Sequence, residues 1–420
     1  MSEVEKFLAE HRDVTRRFFL GCGLTGAAAS LTTASAADRP PELARVLRTL
    51  EPFFTAQDDF RDVSRGNPFP HRLPDDKKRE VGLTRETWKL EVIADPDQPA
   101  TLGKPLTKKA GTALDFPGLL KLSEKHAVRF AKVMTCLNIG CPLGNGIWEG
   151  VPLRTVLWLT QPRENLRRVF YHGYHNDDPK QLFRSSLPVG RVLEDTDDLP
   201  PIILCYKLNG EWLTSERGGP VRIVVPEAYG FKSVKWLTQV TLSNIPHAND
   251  TYANGNNDID SPLKTFAATL HVPHGTRAGE PLPVTGYAQV GISGLSKVQV
   301  WAHPAGKPWP EDDPHFTTAP WVDAEILPPP EKWGAIAPKD VMGFHASGKP
   351  KVWPMRLTKA HWAAMLPQLA AGEYVLRCRT VDAKGQGQPM PRPFRKSGHC
   401  AIEAIKLTVA PPAARKETST

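Results

Sequence analysis

Short segments in which apolar and polar residues alternate recur along the chain, and such alternation is typical of half-buried β-strands. The clearest example in the first half is Trp88–Ile93, which has the sequence WKLEVI. Another apolar run ends just before Cys136, so we expect this cysteine at the end of a strand. Asn209-Gly210, a dipeptide that favours tight turns, lies between two further runs. In this half we predict strands over residues 88–93, 128–134, 201–206 and 221–225.

The second half of the chain contains more of these runs, separated by turn-forming dipeptides such as His274-Gly275 and Ala305-Gly306. Several short strands without long helices are typical of an antiparallel sandwich of the immunoglobulin type. Lys359–Leu369 is the exception, because we predict a helix there. The predicted strands are residues 265–272, 282–289, 297–303, 373–382 and 401–409.

Two helices are predicted in the first half. Phe116–Leu122 follows Asp115, a residue type that caps helix N-termini well. Val151–Leu159 has Pro152 in its first turn, where proline is tolerated. The 41 prolines and 32 glycines favour strands and ordered loops over long helices. We therefore predict an α+β fold, in which a mixed domain is followed by an all-β sandwich.

The chain has 420 residues, more than one compact core usually serves, so two domains are expected. We predict the mixed domain over residues 81–262 and the sandwich over residues 263–410. Residues 37–80 are charged and punctuated by proline, and we expect them to wrap the surface as an N-terminal arm. Residues 411–420 are predicted to form a disordered tail. The sequence predicts no transmembrane segment and no internal repeat.

Residues 1–36 have the ordered features of an export signal. Thr15-Arg16-Arg17-Phe18-Phe19-Leu20 is a twin-arginine signature, a weakly apolar stretch follows, and Ala34-Ser35-Ala36 offers a cleavage site. The alternative is an amphipathic helix with a chance arginine pair. The order of the features favours a signal peptide and a periplasmic protein. Because the twin-arginine route carries folded proteins, often around a cofactor, it also suggests cofactor chemistry.

The net charge of +8 favours anionic substrates or acidic partners. Residues 1–36 contain four basic and four acidic residues, so their removal leaves this charge unchanged. Basic residues are not clustered with interleaved aromatics, which argues against a nucleic-acid-binding protein.

Two of the six cysteines, Cys136 and Cys141, lie five residues apart. A disulfide between them would suit an oxidising compartment, but it would close a very short loop and gain little from loop entropy. A zinc site needs about four ligands, and no second close pair of cysteines is present. The chain has no CxxCH motif and so attaches no c-type haem. An inert buried cysteine and a thiolate ligand of a transition metal both remain open.

Two longer blocks of sequence resemble the sulfite oxidase family of molybdopterin-dependent oxidoreductases. Cys136-x-Asn138, followed by GNGIWEGVPL at residues 144–153, is similar to the family's molybdenum–cysteine segment. The second block contains YKLNG (206–210), GPVRIVVP (219–226) and GFKSVKWL (230–237) in the family's order. A shorter stretch, SSLP at 185–188, resembles the family's Ser-Ile-Pro segment. The similarity covers roughly residues 80–410 and extends to the family's C-terminal dimerisation domain.

The resemblance implies one molybdenum–molybdopterin cofactor, with Cys136 as the catalytic thiolate on the metal and Cys141 without a role. Its pterin phosphate needs fixed cations, which arginine and lysine supply. The family has a histidine where this chain has Arg217, and an arginine can also donate to the cofactor. The implied cofactor contacts are Asn138, Arg217, Arg222, Ser233 and Lys235.

Further site residues follow from the resemblance, with departures. A catalytic tyrosine follows the family's Val-Lys-Trp-Leu block, and Tyr252 is the candidate if a short deletion is allowed. The family's N-terminal Arg-x-His pair places His71 at the histidine position and makes it a candidate cofactor contact. Phe69 then stands in place of the arginine that grips sulfite, and Arg65 is the candidate substitute.

The segment YHGYH ends at His175, which we predict to contact the cofactor. The family has a pterin-contacting acid near this segment, and Asp177 and Asp178 are the candidates for it. His172 and His175 by themselves are too few ligands to indicate a metal site.

The resemblance implies an oxidoreductase that converts sulfite, or a related reduced sulfur compound, to sulfate by oxygen-atom transfer at molybdenum. It implies a homodimer formed through the sandwich domain. Because the chain attaches no haem, the electrons would pass to a separate cytochrome c or haem subunit. The alternatives are a sulfane dehydrogenase or sulfoxide reductase of the same family, and a metal-free exported binding protein.

Overall fold

An N-terminal arm crosses both halves of the molecule before the first strand begins. The computed structural model describes residues 39–196, 199–260, 262–390 and 392–413, so the predicted signal peptide and the end of the predicted tail lie outside the described residues. Phe54 of the arm forms backbone hydrogen bonds with the loop at Trp333, and the backbone NH of Arg61 donates to the carbonyl of Leu143. The arm is therefore built into the fold on both sides.

The helices are short and the strands are numerous. The α-helices of the described residues are α1 Pro41–Leu47, α2 Asp75–Glu80, α3 Phe116–His126, α4 Leu153–Leu159 and α5 Val189–Leu193. Single turns of 3-10 helix are Gln57–Asp59, Pro70–Arg72, Gly230–Lys232 and Ala253–Gly255.

The first domain contains two sheets that share a large apolar core. The first sheet has the order β2-β1-β10-β5-β6, with β1 and β10 parallel. The second has the order β3-β4-β7-β8, and β9 pairs with β7. Both sheets contribute buried side chains to the core, such as Tyr171 and Val133. The strands are β1 Lys89–Ala94, β2 Leu114–Asp115, β3 Val128–Thr135, β4 Pro142–Pro152, β5 Arg168–Gly173, β6 Arg184–Pro188, β7 Ile203–Leu208, β8 Glu211–Trp212, β9 Arg222–Val224 and β10 Leu237–Ser243.

The second domain is a seven-stranded antiparallel sheet with the order β11-β12-β15-β14-β13-β16-β17. A hydrogen bond joins its two edge strands, because the side chain of Glu403 on β17 accepts from the backbone NH of Thr269 on β11 over 2.7 Å. The sheet thus closes into a barrel-like sandwich, which confirms the predicted α+β fold with an all-β second domain. The strands are β11 Phe266–His271, β12 Leu282–Gln289, β13 Lys297–Pro304, β14 Val322–Ile326, β15 Lys359–Leu366, β16 Gly372–Val381 and β17 Glu403–Val409.

Several local predictions are confirmed. The N-cap of α3 is Asp115, whose side chain accepts from the backbone NH of Gly118 over 2.8 Å. Asn209 and Gly210 join β7 to β8 and both have positive φ, 54° and 83°, as this tight hairpin turn requires. Among the described residues no helix is long and apolar enough to cross a membrane. The predicted domain boundaries stay predictions.

The helix predicted over Lys359–Leu369 is wrong. This segment forms strand β15, which pairs with β12 on one side and β14 on the other. Its tryptophan, Trp362, is fully buried in the core of the sandwich. Pairing on both edges therefore outweighs any local preference for a helix. The helix predicted from Val151 begins later, at Leu153, because β4 continues through Pro152.

Candidate active site

A cavity of about 280 Å³ lies in the first domain beside the end of β3. Its wall combines the arm, the loop after β3, the segment 230–236 and the loop that contains Tyr252. Among the described residues that line it there is no aspartate or glutamate. Five cationic side chains do line it: Arg61, Arg65, Arg217, Arg222 and Lys235. Such a wall favours an anionic occupant.

Strand β3 ends at Thr135 and places Cys136 in the cavity wall, as the sequence predicts. The thiol is nearly buried, with 9% of the residue exposed. Cys136 and Cys141 are both free, so the disulfide considered from the sequence is not formed. Cys141 is half-buried at the other end of the loop, where Arg61 Nη1 donates to its Sγ over 3.1 Å. A single thiol therefore faces the cavity from this loop.

Tyr252 also lines the cavity and contacts the loop after Cys136. Asn138 Nδ2 donates to the Tyr252 hydroxyl over 3.2 Å. The phenol ring packs against Phe231 and Phe183, with ring centroids 4.7 and 5.2 Å away. Burial raises the pKa of Tyr252, although the hydrogen bond from Asn138 opposes this rise. The phenol therefore keeps its proton at neutral pH.

Arg222 is buried on β9, and its guanidinium holds two neighbouring segments of the wall. Its Nη1 donates to the carbonyl of Arg217 over 2.8 Å, and its Nη2 donates to the carbonyl of Ser233 over 2.5 Å. Its Nε is buried without a hydrogen-bond partner. Burial lowers the pKa of Arg222 to about 10, and the cation of Arg217 adds to this effect. Arg222 brings positive charge to the cavity while it supports Ser233.

Arg217 is also buried and forms an ion pair with Glu216, whose carboxylate is partly exposed. Its Nη1 donates to the carbonyl of Arg61 over 3.3 Å, so it joins the arm to the cavity wall. Burial lowers the pKa of Arg217, but the guanidinium stays charged at neutral pH because the ordinary pKa of arginine lies far above neutrality.

Lys235 completes the cationic wall and is bound to the arm. Its Nζ donates to Asp62 Oδ1 over 2.8 Å and to Ser64 Oγ over 2.9 Å. Burial lowers the pKa of Lys235 to about 7, and the positive charge of Arg222 lowers it further. An anion in the cavity would offset both effects and favour the protonated amine.

His71 is not among the residues that line the cavity. Its ring stacks between Phe69 and Trp236, and its Nε2 lies 3.9 Å from Asp62 Oδ2. It therefore lies behind the Asp62–Lys235 pair, and its predicted cofactor contact stays a prediction. Arg65, the candidate substitute for the family's arginine, does line the cavity.

His175 lines the cavity in the neutral form, because burial lowers its pKa. Its Nδ1 lies 2.8 Å from the carbonyl of Gly173, which can only accept, so Nδ1 carries the proton and Nε2 is an acceptor. Asp177 and Asp178 do not line the cavity, and each hydrogen-bonds within its own loop. Over the described residues no cluster of His, Cys, Asp or Glu suited to a metal is found.

The cavity brings together most of the residues predicted from the sequence: Cys136, Asn138, His175, Arg217, Arg222, Ser233, Lys235 and Tyr252. Three further residues were not predicted from the sequence: Arg61 and Ser64, which also line the cavity, and Asp62, the partner of Lys235. All three belong to the segment RDVSR of the arm, in which polar and charged residues surround a single valine. This run of charged and polar residues within the proline-rich arm is the sequence feature that could have identified them as site residues.

Comparisons with known proteins agree on the first domain. The family model described as "Oxidoreductase molybdopterin binding domain" matches residues 81–251. Mitochondrial sulfite oxidase of Drosophila melanogaster is 29% identical over 198 residues, which are 46% of this chain and 32% of that protein. The NADPH nitrate reductase of Beauveria bassiana is 25% identical over 201 residues, 47% of this chain and 21% of that protein. The alignments thus span a third or less of the length of these relatives.

Among solved structures, the sulfane dehydrogenase SoxCD from Paracoccus pantotrophus has a similar fold, with a TM-score of 0.53. The match covers 78% of this chain and 77% of that chain at 18% sequence identity. The similarity therefore extends past the first domain into the sandwich.

Proposed function

We propose that this chain oxidises sulfite to sulfate, because it belongs to the sulfite oxidase family of oxidoreductases with a molybdopterin-binding domain. The observation that carries this proposal is the composition of the cavity wall. Five cations, one thiol and one phenol converge there, and no carboxylate is among its described residues. This wall suits an anionic cofactor together with a small anionic substrate.

The donor set fits a molybdenum–molybdopterin group. Cys136 offers a soft sulfur ligand at a nearly buried position. Arg222 keeps a buried Nε without a partner. Burial lowers the pKa of Lys235 to about 7, and a bound anion would favour its protonated form. When bound, such a group supplies oxygen-atom transfer and a two-electron redox change. We assign Cys136 to the metal, and the cofactor's anionic parts to Arg217, Arg222, Ser233 and Lys235.

The protein's own part in the reaction is to bind and orient the substrate and to manage protons. Arg65 lies in the wall with its guanidinium carbon 5.0 Å from the centre of the Phe183 ring, so we assign it to the substrate anion. Fixed cations offset negative charge that develops during the reaction. The Tyr252 hydroxyl, held by Asn138, carries a proton next to the substrate space and can donate it or take it back.

The route of the electrons and the location of the protein complete the proposal. The twin-arginine sequence supports export to the periplasm in the folded state. The chain has no haem-attachment motif, so a separate cytochrome c or haem subunit would receive the electrons. The sandwich domain would form a homodimer.

Sulfane sulfur is the second candidate substrate. The likeness of fold to a sulfane dehydrogenase over 78% of this chain supports it. A sulfoxide reductase is a weaker candidate, because such enzymes lack the sandwich domain that is present here.

Substrate oxidation by the purified holoprotein tests the proposal. Protein produced in a host that makes molybdopterin is mixed with sulfite or thiosulfate and an artificial electron acceptor, and separately with nitrate or methionine sulfoxide and an artificial electron donor. We expect sulfite to give the highest kcat/KM. A preference for thiosulfate-derived sulfane would select the second candidate, and turnover of nitrate or sulfoxide alone would overturn both.

A further inference from the structure

Behind the cavity lies a buried group of charges that the proposed reaction does not use. Asp250 is 1% exposed, and both of its carboxylate oxygens are engaged. Lys232 and Arg168, also buried, complete the group. Burying a carboxylate is costly unless its partners are well placed, so its position needs a reason.

The first oxygen of Asp250 fixes the backbone of the loop that carries Tyr252. Its Oδ1 accepts from the backbone NH groups of Tyr252 and Ala253, over 3.2 and 3.0 Å. These bonds cap the turn in which the tyrosine lies, much as an aspartate caps the start of a helix. The direction in which Tyr252 leaves the backbone is therefore set by this carboxylate.

The second oxygen of Asp250 joins that turn to the sheet. Ser186 Oγ, on β6, donates to Asp250 Oδ2 over 2.8 Å and accepts from Arg168 Nη1 over 3.1 Å. Lys232 Nζ lies 3.8 Å from the same Oδ2 and donates to the carbonyl of Ser186 over 2.7 Å. The turn is thus held by β5, β6 and the segment that forms the cavity wall.

Lys232 extends this link to the cavity itself, because both of its sequence neighbours line the wall. Phe231 packs against the Tyr252 ring, and Ser233 is one of the proposed cofactor contacts. The buried carboxylate of Asp250 therefore fixes the backbone of Tyr252. It also balances the charge of Lys232, which lies next to the residues that hold the Tyr252 ring.

We propose that Asp250 is the positioning residue of Tyr252, holding the phenol in the cavity wall through its contacts with the turn, Ser186 and Lys232. This inference rests on the role proposed for Tyr252. Without the carboxylate, two backbone NH groups lose their acceptor and Lys232 keeps a buried charge without its carboxylate. The turn then loosens, and the phenol is no longer held at one position.

A label on Tyr252 tests this placement without any assay of activity. Fluorotyrosine is incorporated at position 252 of the full chain, and the ¹⁹F NMR signal is compared between the parent protein, Asp250→Ala and Asp313→Ala. Asp313 is the matched control, because it is 3% exposed and caps a turn at Thr317 and Thr318 in the sandwich. We expect the signal to shift or broaden in Asp250→Ala and to stay unchanged in Asp313→Ala. An unchanged signal in folded Asp250→Ala would overturn the proposal.

Ser186→Ala is the second variant, for the case that Asp250→Ala does not fold. It removes one hydrogen bond to Oδ2 and leaves the carboxylate in place, so we expect a smaller change of the signal in the same direction. A Ser186→Ala signal identical to that of the parent would count against the proposal.

Kinetics with sulfite provide the readout that a merely structural role would not give. We expect Asp250→Ala to lower kcat at least about 10-fold with little change in KM, since misplaced groups slow the chemical step. Adding Asp250→Ala to Tyr252→Phe should then cost little more than Tyr252→Phe alone, because both changes remove the same function. Losses that multiply in the double variant would overturn the proposal. If the parent protein fails to oxidise sulfite, the proposed function fails, and the NMR comparison still decides whether Asp250 positions Tyr252.

Discussion

The side-chain amide of Asn138 donates to the hydroxyl of Tyr252 over 3.2 Å. Asn138 lies two residues after Cys136, so this bond joins the loop of the proposed metal ligand to the loop of the proposed proton carrier. The two loops are more than 100 residues apart in sequence, and the cations of the arm, Arg61 and Arg65, line the same cavity. The site is therefore assembled from segments that are far apart in the chain.

Replacing Tyr252 by phenylalanine should slow turnover and leave the cofactor in place. The change keeps the ring contacts with Phe231 and Phe183 and removes only the hydroxyl. We expect kcat for sulfite to fall about 100-fold, the scale of a lost general acid–base group, with unchanged molybdenum content. Tyr374→Phe is the control, because its hydroxyl bonds to Ala370 in the sandwich. Equal kcat values for both variants would contradict the role of Tyr252.

Arg65→Ala should weaken substrate binding. A lost charge-assisted contact is worth about 1.5–3 kcal/mol, so we expect kcat/KM for sulfite to fall about 10–100-fold. Arg72→Ala is the matched control: this arginine of the same arm lies over Phe69 at 5.1 Å, much as Arg65 lies over Phe183, but it does not line the cavity. Steady-state kinetics of both variants decide the point, and similar losses in the two would remove Arg65 from the substrate site.

Anion binding by the cofactor-free protein should weaken as the pH rises through about 7, the pKa to which burial lowers Lys235. Below that pH the amine is charged and attracts the anion, and above it the anion must bind together with a proton. Asp62 and the cations of Arg217 and Arg222 face the same amine. Calorimetry with sulfate at pH 6 and 8 should show tighter binding at pH 6 and proton uptake at pH 8.

Lys235→Gln is the control for this pH dependence. The variant keeps a polar side chain, which is one atom shorter, and removes the titrating amine. We expect its sulfate affinity to be low and nearly the same at both pH values. A pH dependence that persists in the variant would assign the titration to another group.

Glu51→Gln should destabilise the attachment of the arm to the sandwich. Glu51 pairs with the buried Lys359 and lies 3.8 Å from His361 Nε2. Burial alone would raise the pKa of Glu51, but the hydrogen bonds and charges of His361 and Lys359 outweigh it and lower the pKa to about 2. We expect the variant to lose about 1–2 kcal/mol of unfolding free energy at pH 7.

The pH dependence of this loss follows from the depressed pKa. The unfolded carboxylate titrates near 4.5, so the stabilisation is complete above that pH and is lost as the pH falls toward 2. Denaturant titrations at pH 7 and pH 3 should show a smaller difference between parent and variant at pH 3. A constant difference would show that the Glu51 charge is not what holds the arm.

Much of the first domain follows from the sequence because its signals are local. Asp115 caps α3, Asn209 and Gly210 form their turn, and β3 ends one residue before Cys136. The two blocks of family-like sequence supplied Cys136, Asn138, Arg217, Arg222, Ser233 and Lys235, which line the cavity. These features depend on neighbouring residues or on a contiguous motif, so they can be recognised without the fold.

The rest depends on contacts that are distant in sequence. The glycine-rich segment GNGIWEG is part of strand β4, where a Cβ on Gly150 would lie 2.3 Å from the carbonyl oxygen of Leu204. These glycines permit close packing of strands that are distant in sequence, so their role shows only in the fold. Strand β15 was predicted as a helix because its neighbours β12 and β14 are far away in sequence. Arg61 and Ser64 of the arm were missed for the same reason, although Arg65 was named.

Molybdenum content tests the central claim most directly. The parent protein, Cys136→Ser and Cys141→Ser are purified from a host that makes molybdopterin, and metal per chain is measured by elemental analysis. Cys141 is the matched control, a free cysteine five residues away that does not line the cavity. We expect about one molybdenum per chain in the parent and in Cys141→Ser, and a weakened hold on the metal in Cys136→Ser. A well-folded parent protein without molybdenum would contradict the account and leave the alternative of a metal-free binding protein.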